Sequence, residues 1–99
     1  READQLAANN AWAMAKERLQ NSDFNLVILD EMTYMFNQEL LHLDEVIATL
    51  QQRPAWQNVI ITGRAAPEAL LEAADTVSEI KDIKHAFRQG IKAQPGIEY

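Results

Sequence analysis

The sequence predicts an α/β fold in which a mostly parallel sheet is flanked by helices. Two short runs, residues 24–29 and 58–62, carry consecutive apolar side chains, as do strands that are buried on both faces of a parallel sheet. Helical apolar stripes precede and separate these runs, and this order predicts parallel strands joined by right-handed crossovers. The length of 99 residues with 47% hydrophobic side chains predicts that residues 1–99 form a single domain with a packed core.

Three helices are predicted from apolar residues that recur at helical spacing. Residues 3–20 carry a stripe made of Ala8, Trp12, Ala15 and Leu19. Residues 43–52 carry a second stripe, made of Leu43, Val46, Ile47 and Leu50. The two acids in the first turn of this helix are stabilised there by the helix dipole. Residues 67–74 form a short third helix that turns two leucines inward, Leu70 and Leu71.

A third strand is predicted at residues 76–81, which are more polar and therefore closer to an edge of the sheet, and a loop-rich tail at 85–99. Three strands and three helices cannot cover both faces and both edges of such a sheet. Uncovered edges invite further strands. We therefore expect the complete fold to contain more strands, supplied by missing sequence or by another chain, and we expect a homo-oligomer.

Composition excludes several classes of function. The net charge of −6 argues against a nucleic-acid surface, which would be basic. The absence of cysteine excludes disulfides and thiolate metal sites, and it fits a reducing, cytoplasmic location. The longest apolar run has about four residues, whereas a membrane span needs about 20. We therefore expect neither nucleic acid nor a membrane as a partner.

The candidate chemistry begins where the first apolar run ends in Asp30 and Glu31. Ligands of open α/β sheets bind outside the carboxyl ends of the strands, and a carboxylate there can hold Mg²⁺ against nucleotide phosphates. The pattern has the form of a Walker B element. Neighbours in a regular strand point to opposite sides, so one acid is expected to bind the metal while the other orients a water or a loop. The alternative is a strand that simply ends in water.

A phosphate-binding loop of the form G-x-x-x-x-G-K-[ST] does not occur among residues 1–99. If the chain is part of a nucleotide enzyme, we expect that loop to precede Arg1. At the end of the second strand, Gly63 allows a tight exit from the sheet. Arg64 follows it and is a candidate contact to phosphate, although an arginine that pairs with a surface acid would leave the same pattern.

Four stretches together carry a more specific signal: "READ" at 1–4, "LVILDEMTYM" at 26–35, "VIITGRAAPEALLEAADTVSEIKDIKHAF" at 59–87 and "GIKAQPGIEY" at 90–99. In this order they resemble the carboxyl-terminal half of the P-loop type of ATP:corrinoid adenosyltransferase. The resemblance implies a P-loop NTPase fold of the recombinase-like type, which is incomplete here because its amino-terminal half is missing.

The resemblance also implies a function. The family transfers the 5′-deoxyadenosyl group of ATP to the cobalt of a reduced corrinoid and releases triphosphate, in vitamin B12 biosynthesis or salvage. Glu31 would match the metal-holding carboxylate and Asp30 its supporting neighbour, with Mg²⁺ as cofactor and with ATP and corrinoid as substrates. Two alternatives stay open: another P-loop enzyme, such as a kinase or ATPase, and a non-catalytic interaction module. The 99 residues alone are expected to be inactive.

Overall fold

The computed structural model describes residues 2–81. They form four helices and two strands in the order α1 (Glu2–Gln20), β1 (Leu26–Leu29), α2 (Thr33–Asn37), α3 (Leu43–Gln51), β2 (Asn58–Ile61) and α4 (Glu68–Ala73). The strands pair in parallel, with Leu26 opposite Asn58 and Leu29 opposite Ile61. This register confirms the predicted parallel pairing. The helices that lie between the two strands in the sequence confirm the α/β class.

The core lies between the helices and one face of the two-stranded sheet. The predicted stripes of α1 and α3 are confirmed, since Ala8 and Leu19 are buried on one helix and Val46 and Leu50 on the other. The buried core cluster consists of Leu19, Val27, Met32, Phe36, Val46, Leu50 and Leu70. Burial of each such side chain stabilises the fold by about 1.5–3 kcal/mol, which explains why these short helices form at all.

Helices α1 and α3 are also joined by a polar contact. The half-buried Trp12 indole Nε1–H donates a hydrogen bond to Glu45 Oε1 over 2.6 Å, and Lys16 Nζ lies 3.6 Å from the same oxygen. The hydrogen bond from Trp12 lowers the pKa of the Glu45 carboxyl group below its ordinary value, and the Lys16 charge adds to this effect. Trp12 therefore packs between helices, as the stripe predicted.

The prediction that both strands are buried on both faces is wrong for the part of the chain that the structure describes. Val27 is buried, but Leu26, Ile28 and Ile60 remain 51%, 57% and 49% exposed. Alternate strand residues point to opposite faces, and the core cluster packs against only one of them. We call Leu26, Ile28 and Ile60 the open face. The expectation that these helices cannot cover both faces is confirmed.

Two further predictions need correction. Residues 76–81 do not form a strand, and Ile80 in this segment is 97% exposed. A strand requires hydrogen bonds to a neighbour, and within residues 2–81 the sheet contains only β1 and β2. Leu70 is buried as predicted, whereas Leu71 is 39% exposed, because a helix of six residues buries only a narrow stripe. The predicted tail at 85–99 lies outside the described residues.

Helix α2 was not predicted from the sequence. It has only five residues, which is too short for helical periodicity to be recognised. Its Phe36 is buried in the core, and the helix closes the turn between the acid pair and α3. No helix within residues 2–81 combines the length and the apolar character that crossing a membrane requires.

The amino-terminal end of the sheet is held by a buried polar side chain, Gln57. Only 1% of Gln57 is exposed, and its Nε2 donates to the carbonyl oxygens of Arg18, Asn21 and Phe24 at 3.1, 3.4 and 3.1 Å. Helix ends leave carbonyl groups without intrahelical partners. Gln57 adds a donor to carbonyl groups in the last turn of α1 and in the segment between α1 and β1, and it ties them to the start of β2.

Candidate functional site

The carboxyl ends of β1 and β2 bring the predicted site residues to one edge of the sheet. Asp30 and Glu31 follow β1, while Thr62, Gly63 and Arg64 follow β2. Because the two strands are parallel and Leu29 is paired with Ile61, the segments that follow them leave the sheet side by side. The structure therefore brings the acid pair and the glycine-containing loop together, as the sequence predicted.

A single hydroxyl group links the two segments. Thr62 Oγ1 donates a hydrogen bond to Asp30 Oδ1 over 2.6 Å, and it accepts one from the backbone N–H of Glu31 over 2.9 Å. The backbone N–H of Thr62 donates to the carbonyl oxygen of Leu29 over 3.2 Å. Thr62 was not among the site residues predicted from the sequence. The available signal was its position, one residue beyond a strand that neighbours the acid pair.

Glu31 does not continue the strand. Its φ of 56° is left-handed, a conformation that costs a non-glycine residue about 1–2 kcal/mol. The expectation that Asp30 and Glu31 point to opposite sides, as neighbours in a regular strand do, therefore does not apply, because β1 ends at Leu29. The turn at Glu31 is stabilised by the hydrogen bond from its N–H to Thr62.

Gly63 is required by the geometry of the second loop. Its φ is 152°, and a Cβ at this position would overlap the side chain of Thr33 at the start of α2. The prediction of a tight exit from the sheet is therefore confirmed. Thr33 is buried, and its hydroxyl has no hydrogen-bond partner within the described part of the chain.

Arg64 is exposed and is placed through its backbone. The carbonyl oxygen of Arg64 accepts a hydrogen bond from Asn37 Nδ2 over 3.1 Å, which ties the loop after β2 to the end of α2. Among residues 2–81 the Arg64 guanidinium forms no ion pair. The alternative in which Arg64 pairs with a surface acid is therefore not seen, and its side chain can meet a ligand.

The carboxylate oxygen atoms at this edge can supply some of the ligands of a hard divalent cation, but not a complete set. The Glu31 side chain is exposed and accepts no hydrogen bond from any described residue, and the Asp30 carboxylate accepts one, at Oδ1. No group of three or more His, Cys, Asp or Glu side chains that could hold a metal occurs in residues 2–81. Mg²⁺ in nucleotide enzymes usually takes one or two carboxylates and completes its shell with phosphate oxygens and waters, so the donors present suit Mg²⁺ together with a nucleotide.

A cleft of about 190 Å³ lies beside Asp30. Its walls come from α1, β1 and α2 and the residues next to them, and the side chains are mostly apolar: Ala11, Trp12, Ala15, Ile28, Leu29, Met32, Met35 and Leu41. Asp30 is therefore exposed and borders an apolar surface.

Comparison with known proteins agrees with the resemblance in the sequence. The family model for ATP:corrinoid adenosyltransferase BtuR/CobO/CobP matches residues 1–99. The chain belongs to this family. It is 50% identical over 99 residues to the corrinoid adenosyltransferase of Escherichia coli (strain K12), 48% to the corrinoid adenosyltransferase CobA of Salmonella typhimurium (strain LT2) and 46% to the corrinoid adenosyltransferase of Pseudomonas aeruginosa.

The match to these adenosyltransferases covers all of this chain but only part of each relative. The chain spans 50% of the Escherichia coli protein, 50% of the Salmonella protein and 49% of the Pseudomonas protein. The chain therefore spans about half the length of these curated relatives.

Proposed function

We propose that this chain is the carboxyl-terminal half of an enzyme that transfers the 5′-deoxyadenosyl group of ATP to the cobalt of a reduced corrinoid. The observation that carries the proposal is the match of the whole chain to the adenosyltransferase family. The acid edge, which is Asp30 and Glu31 at the carboxyl end of β1, supports it. Ligands of open α/β sheets bind at the carboxyl ends of the strands, and a carboxylate there can hold Mg²⁺ against nucleotide phosphates. "Full-length enzyme" below means a chain of family length that contains residues 1–99.

The full-length enzyme is proposed to be one P-loop α/β domain of the recombinase-like type, with its phosphate-binding loop in the amino-terminal half. Strand pairing supports this proposal, since β1 and β2 each pair on only one edge within residues 2–81 and can accept further strands. The open face, formed by Leu26, Ile28 and Ile60, supports the same proposal and also association into a homo-oligomer. Dependence on ATP and on a reduced substrate favours the cytoplasm.

Glu31 is the proposed holder of Mg²⁺, with Asp30 as the carboxylate beside it. The cation, when bound, would neutralise charge on the triphosphate as this group leaves. Support comes from the free carboxylate of Glu31 and from the hydrogen bond that orients Asp30. Arg64 is proposed to contact the phosphates, because its guanidinium is exposed and unpaired among the described residues.

The reaction forms one bond and breaks one. The Co(I) centre of the corrinoid attacks C5′ of ATP, a Co–C bond forms, and the electrons of the broken C5′–O bond leave with the triphosphate. Cobalt supplies the nucleophile, so the protein acts mainly by orienting the two substrates and by excluding water. Such positioning can supply about 7–11 kcal/mol of a reaction barrier, and the acid pair would contribute to it from a place fixed by the paired strands.

The test compares the full-length enzyme with the isolated 99-residue chain, each given ATP, Mg²⁺ and chemically reduced corrinoid. Formation of the Co–C bond is followed by the absorbance change of the corrinoid, and the nucleotide products are separated by chromatography. We expect adenosyl transfer with release of triphosphate from the full-length enzyme and no measurable turnover from the isolated chain, which has no phosphate-binding loop in its sequence. Diphosphate as the product would indicate a kinase or ATPase instead, and equal turnover by the two proteins would contradict the assignment of the missing half.

A further inference from the structure

The hydroxyl group of Thr62 makes two hydrogen bonds at this edge of the sheet. A hydroxyl has one proton to donate, and Thr62 donates it to Asp30 Oδ1 over 2.6 Å. One of its lone pairs accepts the N–H of Glu31 over 2.9 Å. The first hydrogen bond constrains a carboxylate and the second constrains a backbone turn, so one oxygen atom controls both acids of the site.

Thr62 is itself held by the sheet. Its backbone N–H donates to the carbonyl oxygen of Leu29, which continues the pairing of Leu29 with Ile61. A β-branched residue has few side-chain rotamers, so a threonine in this position presents its oxygen in one direction. The side chain of Thr62 therefore connects the paired strands to the two exposed acids.

We propose that Thr62 is a positioning residue that orients the Asp30 carboxylate and fixes the left-handed turn at Glu31 for binding of a divalent cation with nucleotide phosphate. This inference rests on the proposed function, because it assigns Thr62 a task at the same site. In this role Thr62 acts through the two acids and not by contact with the substrate. It acts by holding the acids in one arrangement before the ligand arrives, so that binding does not have to order them.

A purely structural role makes a different prediction. If Thr62 only stabilises the ends of the strands, removing its hydroxyl lowers the thermal stability and leaves the metal affinity of the folded protein unchanged. If Thr62 positions the acids, the metal affinity falls even when the protein stays folded. Partners that orient metal ligands typically contribute about 10–100-fold to metal affinity or activity, which is large enough to separate the two roles.

The experiment uses Thr62→Val, which keeps the shape and removes the hydroxyl, and Thr62→Ser, which keeps the hydroxyl, both in the full-length enzyme. Binding of Mn²⁺ in the presence of ATP is measured by electron paramagnetic resonance, and kcat, the KM for corrinoid and thermal melts are measured in parallel. Thr62→Val is expected to lose about 10–100-fold in Mn²⁺ affinity and in kcat, with the KM for corrinoid unchanged. Thr62→Ser is expected to recover most of both losses.

Thr49→Val is the matched control. Thr49 is a buried threonine whose hydroxyl donates to the backbone carbonyl of Glu45 within α3. We expect this variant to lower the melting temperature and to leave Mn²⁺ affinity unchanged. Should Thr62→Val fail to fold, Thr62→Ala removes the same hydroxyl from a smaller side chain and is judged by the same measurements.

A double-mutant cycle gives the sharpest readout. If the effect of Thr62 passes through Asp30, then Thr62→Val in an Asp30→Asn background should cost clearly less Mn²⁺ affinity than it does alone, since coupled residues are not additive. Wild-type Mn²⁺ affinity in folded Thr62→Val or Thr62→Ala would overturn the proposal, and so would the absence of Mn²⁺ binding to the unmodified enzyme with ATP. Failure of the proposed function is seen separately, as metal and ATP binding without adenosyl transfer.

Discussion

The two ends of the sheet use polar side chains in opposite ways. At the amino-terminal end, Gln57 is buried and donates to three carbonyl oxygens inside the protein. At the carboxyl-terminal end, Asp30 and Glu31 are exposed, and Thr62 meets them with one hydroxyl. The amide nitrogen of Gln57 at the first end is used by the fold, whereas the carboxylates of the second end keep free lone pairs that face outward.

This difference separates stability from function. A buried donor that binds several acceptors adds to the free energy of folding, because its loss removes hydrogen bonds from carbonyl groups inside the protein. An exposed carboxylate with unused lone pairs adds little to folding and is available for a ligand. Variants at the carboxyl end should therefore change activity more than stability, and variants at the amino end should do the reverse.

The largest expected effect is that of Glu31→Gln in the full-length enzyme. The amide keeps the shape and removes the charge, so the metal is held more weakly and the leaving triphosphate loses charge stabilisation. We expect the rate of adenosyl transfer to fall by roughly 10²–10³, with a near-normal melting temperature and partial recovery at raised Mg²⁺. A folded variant with wild-type rate and wild-type Mg²⁺ dependence would remove Glu31 from the site.

Asp30→Asn should cost less than Glu31→Gln. The amide oxygen introduced by this substitution would still accept the hydrogen bond from Thr62, so the turn should persist while the second charge is lost. We expect a fall of about 10–100-fold in rate, measured in the same assay and with thermal melts as the folding control. If this variant shows the larger loss and the stronger Mg²⁺ dependence, the roles of the two acids are reversed and the nucleotide site itself still stands.

Gln57→Leu tests the other end of the comparison. It leaves the carbonyl groups of Arg18, Asn21 and Phe24 without their side-chain donor, and a buried polar group that loses its partner costs about 1–3 kcal/mol. We expect urea unfolding of the full-length enzyme to show a loss of this size while kcat stays within about twofold. The matched control is Gln52→Leu, an exposed glutamine at the end of α3, which should shift stability by less than about 0.5 kcal/mol. Normal stability of Gln57→Leu together with a large loss of activity would contradict the view that the amino-terminal end of the sheet serves stability and the carboxyl-terminal end serves function.

The smallest effect is a pH-dependent one, at the contact between α1 and α3. The indole of Trp12, aided by Lys16, lowers the pKa of Glu45 in the folded protein. The carboxylate therefore stabilises the fold above the pKa it has when unfolded, and this contribution disappears as the pH falls through the lower, folded pKa. Glu45→Gln should lower the melting temperature slightly at about pH 7 and not at about pH 3.

Asp44→Asn is the control for that experiment. Asp44 lies in the same first turn of α3 and shares the helix dipole, but it makes no hydrogen bond or ion pair with any residue of the described range. A pH-independent difference between Glu45→Gln and the unmodified protein, or an equal effect of Asp44→Asn, would show that the contact with Trp12 does not contribute.

Local sequence patterns were sufficient for the elements whose signal is local. The apolar stripes of α1 and α3 were predicted because helical spacing alone identifies the face that will be buried, and Leu19 and Val46 lie in the core as expected. The acid pair was placed at the end of β1 because an apolar run stops there. Residues 76–81 were predicted wrongly as a strand, since a strand depends on a neighbour that no local pattern can supply.

The sequence by itself therefore determined the α/β class, the buried stripes, the parallel crossover and the edge of the sheet where the acids lie. The tertiary structure decided the open face, the left-handed turn at Glu31, the close approach of Gly63 to Thr33 and the bridge made by Thr62. The last three depend on residues about 30 positions apart, and such contacts exist only once the two strands have paired. Periodicity along the chain reports which side of an element is apolar, but the partner of a hydroxyl group is decided by packing.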